Sequence, residues 1–228
     1  MVMKRETSPT AEHIALTVPA GRAHLPADVF LPHQSRGLVV FAHGSGSSRH
    51  SPRNRFVAGE LNEGGLGTVL IDLLTEDEEV IDARTAELRF NIQLLGERLV
   101  AVTDWITRQN RFADFSPGYF GASTGAAAAL LAAAERPMIV RAVVSRGGRP
   151  DLAGPALPNV FAPTLFIVGG EDHAVLRLNR EARAQLPAQT ESRLEIIPGA
   201  THLFEEPGTL DQVARLARSW FHQHLSPM

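Results

Sequence analysis

The chain has 228 residues, 44% hydrophobic and 21% charged, which is the balance of a soluble globular protein able to bury one sizeable core. A formal net charge of −3 offers no basic surface for nucleic acid or an anionic membrane, and the lack of cysteine excludes disulfides, thiolate metal sites and a cysteine nucleophile. The first residues, MVMKRETSPTAEHIAL, are interrupted by Lys4, Arg5, Glu6 and Glu12, so they lack the apolar core of a secretory signal. The longest aliphatic run, Ala126–Ala134, is too short to span a bilayer. The expectation is a cytoplasmic protein with no membrane partner.

The pattern then alternates between strand and helix, with no internal repeat and no long linker. HIALTV and AHLPADVFL read as an antiparallel pair around a turn at Pro19–Gly21. GLVVFAHG is a continuous apolar run ending in glycine, the signature of a buried parallel strand. A helix is predicted from about Pro52 to Glu63, stopped by Gly64–Gly65, and GTVLIDLL is the next buried strand. The acidic run Glu76–Glu79 reads as a solvated loop leading to a helix N-terminus. One long helix is predicted over Asp82–Arg108, because Leu88, Ile92, Leu95, Leu99, Val102 and Ile106 recur at spacings of three and four. PGYFGAS, VRAVVSRG, TLFIVGG and RLEIIPG read as further strands, separated by an alanine-rich helix and a helix near Leu176–Leu186, and a last helix runs over Leu210–His224. This order predicts an α/β fold: a mostly parallel central sheet, helices on both faces and an antiparallel N-terminal strand pair, in a single domain over residues 1–228. Active sites in such sheets lie beyond the carboxyl ends of the strands.

One stretch carries chemistry. Gly121-Ala122-Ser123-Thr124-Gly125 fits G-x-S-x-G where a predicted strand meets a predicted helix, the context of a nucleophile elbow. So sharp a turn forces the serine into strained backbone angles, and flanking side chains would clash, which glycine avoids. Ser123 Oγ would stand free above the sheet, and the Thr124 N–H at the helix start would face a developing oxyanion. The plainer alternative is a helix cap.

A serine needs a base and an acid. His202 follows the strand LEII and lies at a strand's carboxyl end, as do Glu171 and Asp172 after LFIVGG, in the chain order serine, acid, histidine. His202 would take the serine proton, and one of the two acids would orient it; spacing does not choose between them, and Asp72 is a third, weaker option. After FAHG, the Ser45 N–H is the second oxyanion donor expected, with His43 holding the loop rather than reacting. Arg146 and Arg149 follow another buried strand at the same rim. They either pair with Asp151 and shape the loop, or hold a carboxylate or phosphate of the substrate as possible substrate-binding residues.

With these motifs in place the chain resembles the α/β-hydrolase superfamily, and within it the dienelactone hydrolase-like group. The resemblance rests on FAHGSGSS, IDLLTEDEE, YFGASTGAAAAL, VVSRGGRPDLAG, LFIVGGED and PGATHLFEEPG. It implies the α/β-hydrolase fold, Ser123 as nucleophile, Asp172 as acid and His202 as base, with Ser45 and Thr124 as oxyanion donors. The segment between VVSRGG and APTLF, about 15 residues, leaves little room for a large lid, so an open site and a small substrate are expected. Dienelactone hydrolase proper is similar but uses a cysteine nucleophile where this chain has Ser123. The resemblance implies a serine hydrolase acting on a small carboxylic ester or lactone, with no cofactor and no metal. An acyltransferase on the same fold, or a binding module that keeps the pocket, are the alternatives.

Overall fold

In the computed structural model, residues 11–225 are described, and the residues before Ala11, read above as lacking an apolar leader, lie outside them. The N-terminal hairpin is β1 (Glu12–Ala20) and β2 (Ala23–Leu31), paired antiparallel in register from Glu12↔Leu31 to Ala20↔Ala23 around Gly21. It joins the sheet through β2, which runs antiparallel to β4 (Gly67–Ile71). From there all neighbours are parallel: β3 (Leu38–Ala42) lies between β4 and β5 (Pro117–Ala122), followed by β6 (Ala142–Arg146), β7 (Thr164–Gly169) and β8 (Ser192–Ile197). The eight strands are therefore ordered β1-β2-β4-β3-β5-β6-β7-β8.

This order places the site. From β3 the chain crosses through α1 (Pro52–Glu63) to β4 on one side, then returns through α2 (Glu76–Thr85) and α3 (Ile92–Thr107) to β5 on the other. The reversal leaves a crevice at the carboxyl ends of β3 and β5, where loops diverge to opposite faces. The core is split by the sheet. On one face α3 and α4 (Thr124–Glu135) pack on Val40, Val69, Ile71, Tyr119, Val143 and Phe166; on the other, α1 and α6 (Thr209–His224) pack on Val39, Phe41, Phe120, Val144 and Ile167. The helix α5 (His173–Arg183) packs on β7 through Val175 and Leu176 against Val168.

The alanine run has a packing reason. Every residue of α4 from Thr124 to Ala133 is buried, so the helix has no polar face to spend. Small side chains let it lie close to its neighbours: a Cβ added to Gly96 of α3 would fall 2.5 Å from Leu131 Cδ2.

Two expectations are corrected. The long helix over Asp82–Arg108 is broken: α2 ends at Thr85, Ala86 turns left-handed (φ 57°), Leu88–Phe90 form a 3-10 turn, and α3 restarts at Ile92. The break is stabilised by Asp82, whose carboxylate accepts from the N–H groups of Leu88 (2.8 Å) and Arg89 (3.0 Å), and by Asn91, which caps Leu94 N–H (3.1 Å). The apolar spacing from Leu88 to Ile92 is four and so hides the interruption. Likewise, the acidic run Glu76–Glu79 is the first turn of α2, not a loop. Thr75 and Glu78 form a capping box, and Glu78 receives both arms of buried Arg98 (2.6 and 2.5 Å), which hold its carboxyl below the usual range. Arg98 also donates to the Leu73 carbonyl (2.7 Å), tying α2 and α3 to the end of β4.

Two glycines test this packing in opposite directions. A Cβ at Gly125 would lie 2.2 Å from the Ala42 carbonyl oxygen and 2.4 Å from that of His43, whereas one at Gly59, exposed in the middle of α1, would meet nothing within 4 Å. Gly125→Ala is expected to cost about 3 kcal/mol or more because backbone cannot give way. Gly59→Ala is expected to stabilise by about 0.5–1 kcal/mol through the unfolded chain and helix propensity. Urea titration of both variants checks the pair; equal effects would refute the close approach.

Candidate active site

The strand β5 ends at Ala122, and the chain turns into α4 through Ser123, which has φ 50° and ψ −120°. That positive φ is costly for a residue with a side chain, about 1–3 kcal/mol, and persists only where surroundings enforce it. Here they do. A Cβ at Gly121 would lie 2.4 Å from Ala126 Cα, and the Gly125 approach was given above. Ser123 N–H donates to the Arg146 carbonyl (3.2 Å), and its own carbonyl accepts from Arg149 N–H (3.0 Å) and Ala126 N–H (3.1 Å). Ser123 is half-buried, with Thr124 buried behind it as the first residue of α4. The Thr124 N–H is thus one of the helix-start donors that have no intrahelical acceptor.

The loop after β3 lies against this turn. A Cβ at Gly44 would come within 3.0 Å of Ser123 Cβ. The loop folds back through Ser47 N–H donating to the Gly44 carbonyl (3.2 Å), with Gly46 left-handed (φ 68°), so the Ser45 N–H is outside that turn's hydrogen bond. His43 anchors it: Nδ1 donates to the Gly44 carbonyl (3.0 Å), and Nε2 accepts from Leu73 N–H (3.1 Å). Both nitrogens are spent on neutral-tautomer contacts, and burial pulls the imidazole's pKa below its ordinary value. Asp72, the weaker acid option, is buried and bound by Arg49 through the backbone N–H (2.6 Å) and the guanidinium.

The acid and the histidine meet at the carboxyl ends of β7 and β8. Gly169 makes this possible: a Cβ there would lie 2.3 Å from the Ala200 carbonyl oxygen, so only a bare residue lets the β8 loop close on β7. Of the two acids, Asp172 reaches His202, with Oδ2 2.6 Å from Nδ1, while Glu171 is exposed. Asp172 is also the N-cap of α5 (Val175 N–H to Oδ1, 3.4 Å), which fixes its carboxylate. With Nδ1 donating to Asp172, the free lone pair of His202 is on Nε2. The ring stands over the Gly147 turn at the end of β6, where an added Cβ would be 3.6 Å from Cε1. The His202 loop is locked by Glu206, which accepts from Thr201 Oγ1 (2.6 Å) and N–H (3.1 Å), and by Phe204, buried with φ 56°.

The two rim arginines have different surroundings. Arg149 gives its fork to Asp151 (2.9 and 2.8 Å). Arg146 is buried, and its contacts are the Asn54 side-chain oxygen (3.3 Å) and the Phe204 ring, 5.8 Å from the guanidinium carbon. Its Nε is buried without a hydrogen-bond partner among the described residues. Burial, with Arg53 nearby, brings its pKa down to about 10. A cavity of about 560 Å³ opens beside Gly44, Ser45 and Thr124, and its far wall carries Glu79, Asp82 and Arg89. Sequence reasoning missed that wall, because the helix break that turns Arg89 inward is signalled only by Asn91. No group of acids and histidines able to hold a metal occurs among the described residues. No helix among the described residues is long and apolar enough to cross a membrane.

Comparison with known proteins agrees with this architecture. A dienelactone hydrolase from Anabaena variabilis ATCC 29413 superposes with a TM-score of 0.92 at 57% identity, covering 95% of this chain and 100% of that one. Est1E from Butyrivibrio proteoclasticus shares the fold at 17% identity (TM-score 0.74; 92% and 98% covered). Two Mycobacterium tuberculosis proteins with a provisional phosphoribosyl transferase name are 56% identical over 208 residues, which is 91% of this chain and 46% of theirs. The chain thus spans about half the length of those relatives. The family model described as dienelactone hydrolase family matches residues 33–224, and on that match and the 57% identity the chain belongs to the dienelactone hydrolase family.

Proposed function

We propose that the protein is a serine hydrolase cleaving a small carboxylic ester or lactone, with Ser123, His202 and Asp172 as its triad. The observation that carries the reading is the 2.6 Å contact between Asp172 and His202 Nδ1, at the same rim as a serine held at φ 50°. Ser123 Oγ attacks the carbonyl carbon while its proton passes to His202 Nε2. The N–H groups of Thr124 and Ser45 receive the oxyanion. The tetrahedral intermediate collapses, the alkoxide leaves with the proton from Nε2, and an acyl-enzyme remains. Water then attacks, gives its proton to Nε2, and the acid is released as Oγ recovers a proton from the imidazolium. Asp172 holds the ring orientation and balances the imidazolium charge. Acyl transfer to another acceptor would share every step up to the acyl-enzyme. The transferase name of the longer mycobacterial relatives is not taken over, since the matched residues follow the hydrolase family's pattern. The substrate is taken as a small molecule from solution, with no nucleic acid and no membrane involved.

Ser123→Ala is expected to lower kcat on the order of a thousandfold or more while leaving the fold intact, as read by p-nitrophenyl acetate turnover and labelling with a fluorophosphonate. Wild-type labelling at any residue other than Ser123 would sink the assignment. Asp172→Asn should approach the loss seen for Ser123→Ala, while Glu171→Gln stays within about threefold of wild type, because an exposed side chain without a special contact contributes little. The reverse order would move the acid. Turnover should also fall on acidification, since a protonated Nε2 cannot accept the serine proton.

Arg146 and Arg149 are read as supports for the site, not as substrate ligands. A buried cation with no carboxylate partner costs stability, so Arg146→Met is expected to raise the thermal midpoint by about 2–4 °C. It should lower kcat at the same time by loosening Phe204 and with it the His202 loop. A selective rise in KM for acidic over neutral esters, with kcat unchanged, would instead assign Arg146 to the substrate.

A further inference from the structure

The cavity beside the elbow is unusual in its walls. Ligand pockets are ordinarily lined by apolar and aromatic side chains with a few polar groups. Here polar groups supply about half of the lining: the near wall is the serine-rich loop with Ser45, Ser47 and Ser48, the far wall carries Glu79 and Arg89, and Pro52, Leu74 and Leu95 supply apolar surface between them. It borders the oxyanion side of Ser123 through Gly44, Ser45 and Thr124.

The two charged groups on the far wall are differently held. Arg89 is fixed in place: Nε donates to the Asp82 carboxylate (2.5 Å) and Nη2 to the Asp82 carbonyl (2.8 Å). Its third nitrogen, Nη1, is left over and stands across from Gly46, 3.5 Å from where a Cβ would be. Glu79 is exposed on α2 and makes no ion pair among the described residues; partial loss of water and neighbouring Asp72 raise its pKa. A donor that cannot accept and a carboxylate that accepts thus line one cavity together with the hydroxyls of Ser45, Ser47, Ser48 and Ser51, which can do both.

That combination selects by charge and by polarity. An alkyl chain would strip water from Glu79, Arg89 and the serines and return nothing, at about 1–3 kcal/mol for each unsatisfied group. A carboxylate would face Glu79, and an ammonium would face Arg89 and Arg53, which also lines the cavity and is paired with Glu205 (3.2 Å). A neutral hydroxyl suits both walls, donating to Glu79 and accepting from Arg89. We propose that this cavity is a subsite for a neutral, polyhydroxylated group, so that the substrate is an ester or lactone of a sugar or polyol skeleton. The proposal rests on the serine-hydrolase reading above and narrows its substrate class.

The test compares glucono-δ-lactone with δ-valerolactone in a pH-stat, with the uncatalysed rates subtracted. In a lactone the acyl and alcohol sides are one ring, so the hydroxyls reach the cavity whichever side it serves. Wild-type kcat/KM should favour the hydroxylated lactone at least about tenfold, as expected of a site built to hydrogen-bond hydroxyls. Glu79→Leu should reduce that ratio about tenfold or more by lowering the first value and raising the second. A wild-type preference for δ-valerolactone, or a ratio unmoved in Glu79→Leu, overturns the subsite. A binding arm separates this failure from failure of the hydrolase reading: calorimetric titration of Ser123→Ala with methyl α-glucoside and with 1-pentanol. Saturable binding of the glucoside alone, weakened in Ser123→Ala/Glu79→Leu, supports the subsite even if neither lactone is turned over. Binding of pentanol in preference, or of neither, overturns it.

Discussion

Everything at this site depends on how near the first turn of α4 comes to the backbone of β3. At Gly125 the gap admits no methyl, with the Ala42 carbonyl oxygen 2.2 Å from where one would be. That approach forces the turn at Ser123 into a positive φ, because no gentler path takes the chain from the end of β5 into a helix lying so close. It also draws the β3 loop against the turn, where a Cβ at Gly44 would meet Ser123 Cβ at 3.0 Å. The buried alanines of α4 follow from the same constraint, since a helix with larger side chains could not sit there. Backbone strain, the close approach of the β3 loop and the composition of α4 are one packing solution.

The histidine side obeys a parallel rule with a different glycine. Gly169 lets the β8 loop close over the end of β7, and Asp172 then serves two structures at once, capping α5 and receiving His202. A carboxylate already fixed by a helix N-terminus loses little freedom when it orients the imidazole. Glu171, one residue earlier, is directed to solvent and has no such anchor. Chain position made the two acids equivalent; the contact with His202 and the helix cap, both made by Asp172, separate them.

This explains what could be read from the residues and what could not. The strands, the mostly parallel sheet and the glycine-flanked turn from β5 into α4 were legible because they rest on short-range signals: apolar runs of strand length, glycines at turns, and a serine between them. The antiparallel hairpin around Gly21 was legible for the same reason. The break between α2 and α3 was not, because Leu88 and Ile92 keep a helical spacing across it, and the groups that stabilise it, Asp82 and Asn91, act through backbone contacts that appear only once the chain is folded. The acidic run misled in the same way. Four consecutive acids look solvated, yet Glu78 answers to Arg98, twenty residues on. The fate of Arg146, buried beneath Phe204 without a carboxylate, has no local signal at all.

The walls of the cavity differ in what holds them, and this bears on how such a site changes substrate. The near wall belongs to the β3 loop and α4, fixed by the buried core and by His43. The far wall belongs to α2 and to the 3-10 turn that carries Arg89; the one buried residue of α2 is Asp82, while Val80 and Ile81 are exposed. Charge-assisted contacts hold α2 in place of apolar packing: Glu78 with Arg98 at one end, Asp82 with Arg89 at the other. A helix secured in this way buries little and tolerates substitution on its open positions, Glu79 among them, without disturbing the core. On the proposed function, the chemistry would be built into the rigid part of the fold and the selection of substrate into the part that packs least, so that substitutions on the open positions of α2 would change substrate choice and leave the contact between Asp172 and His202 in place.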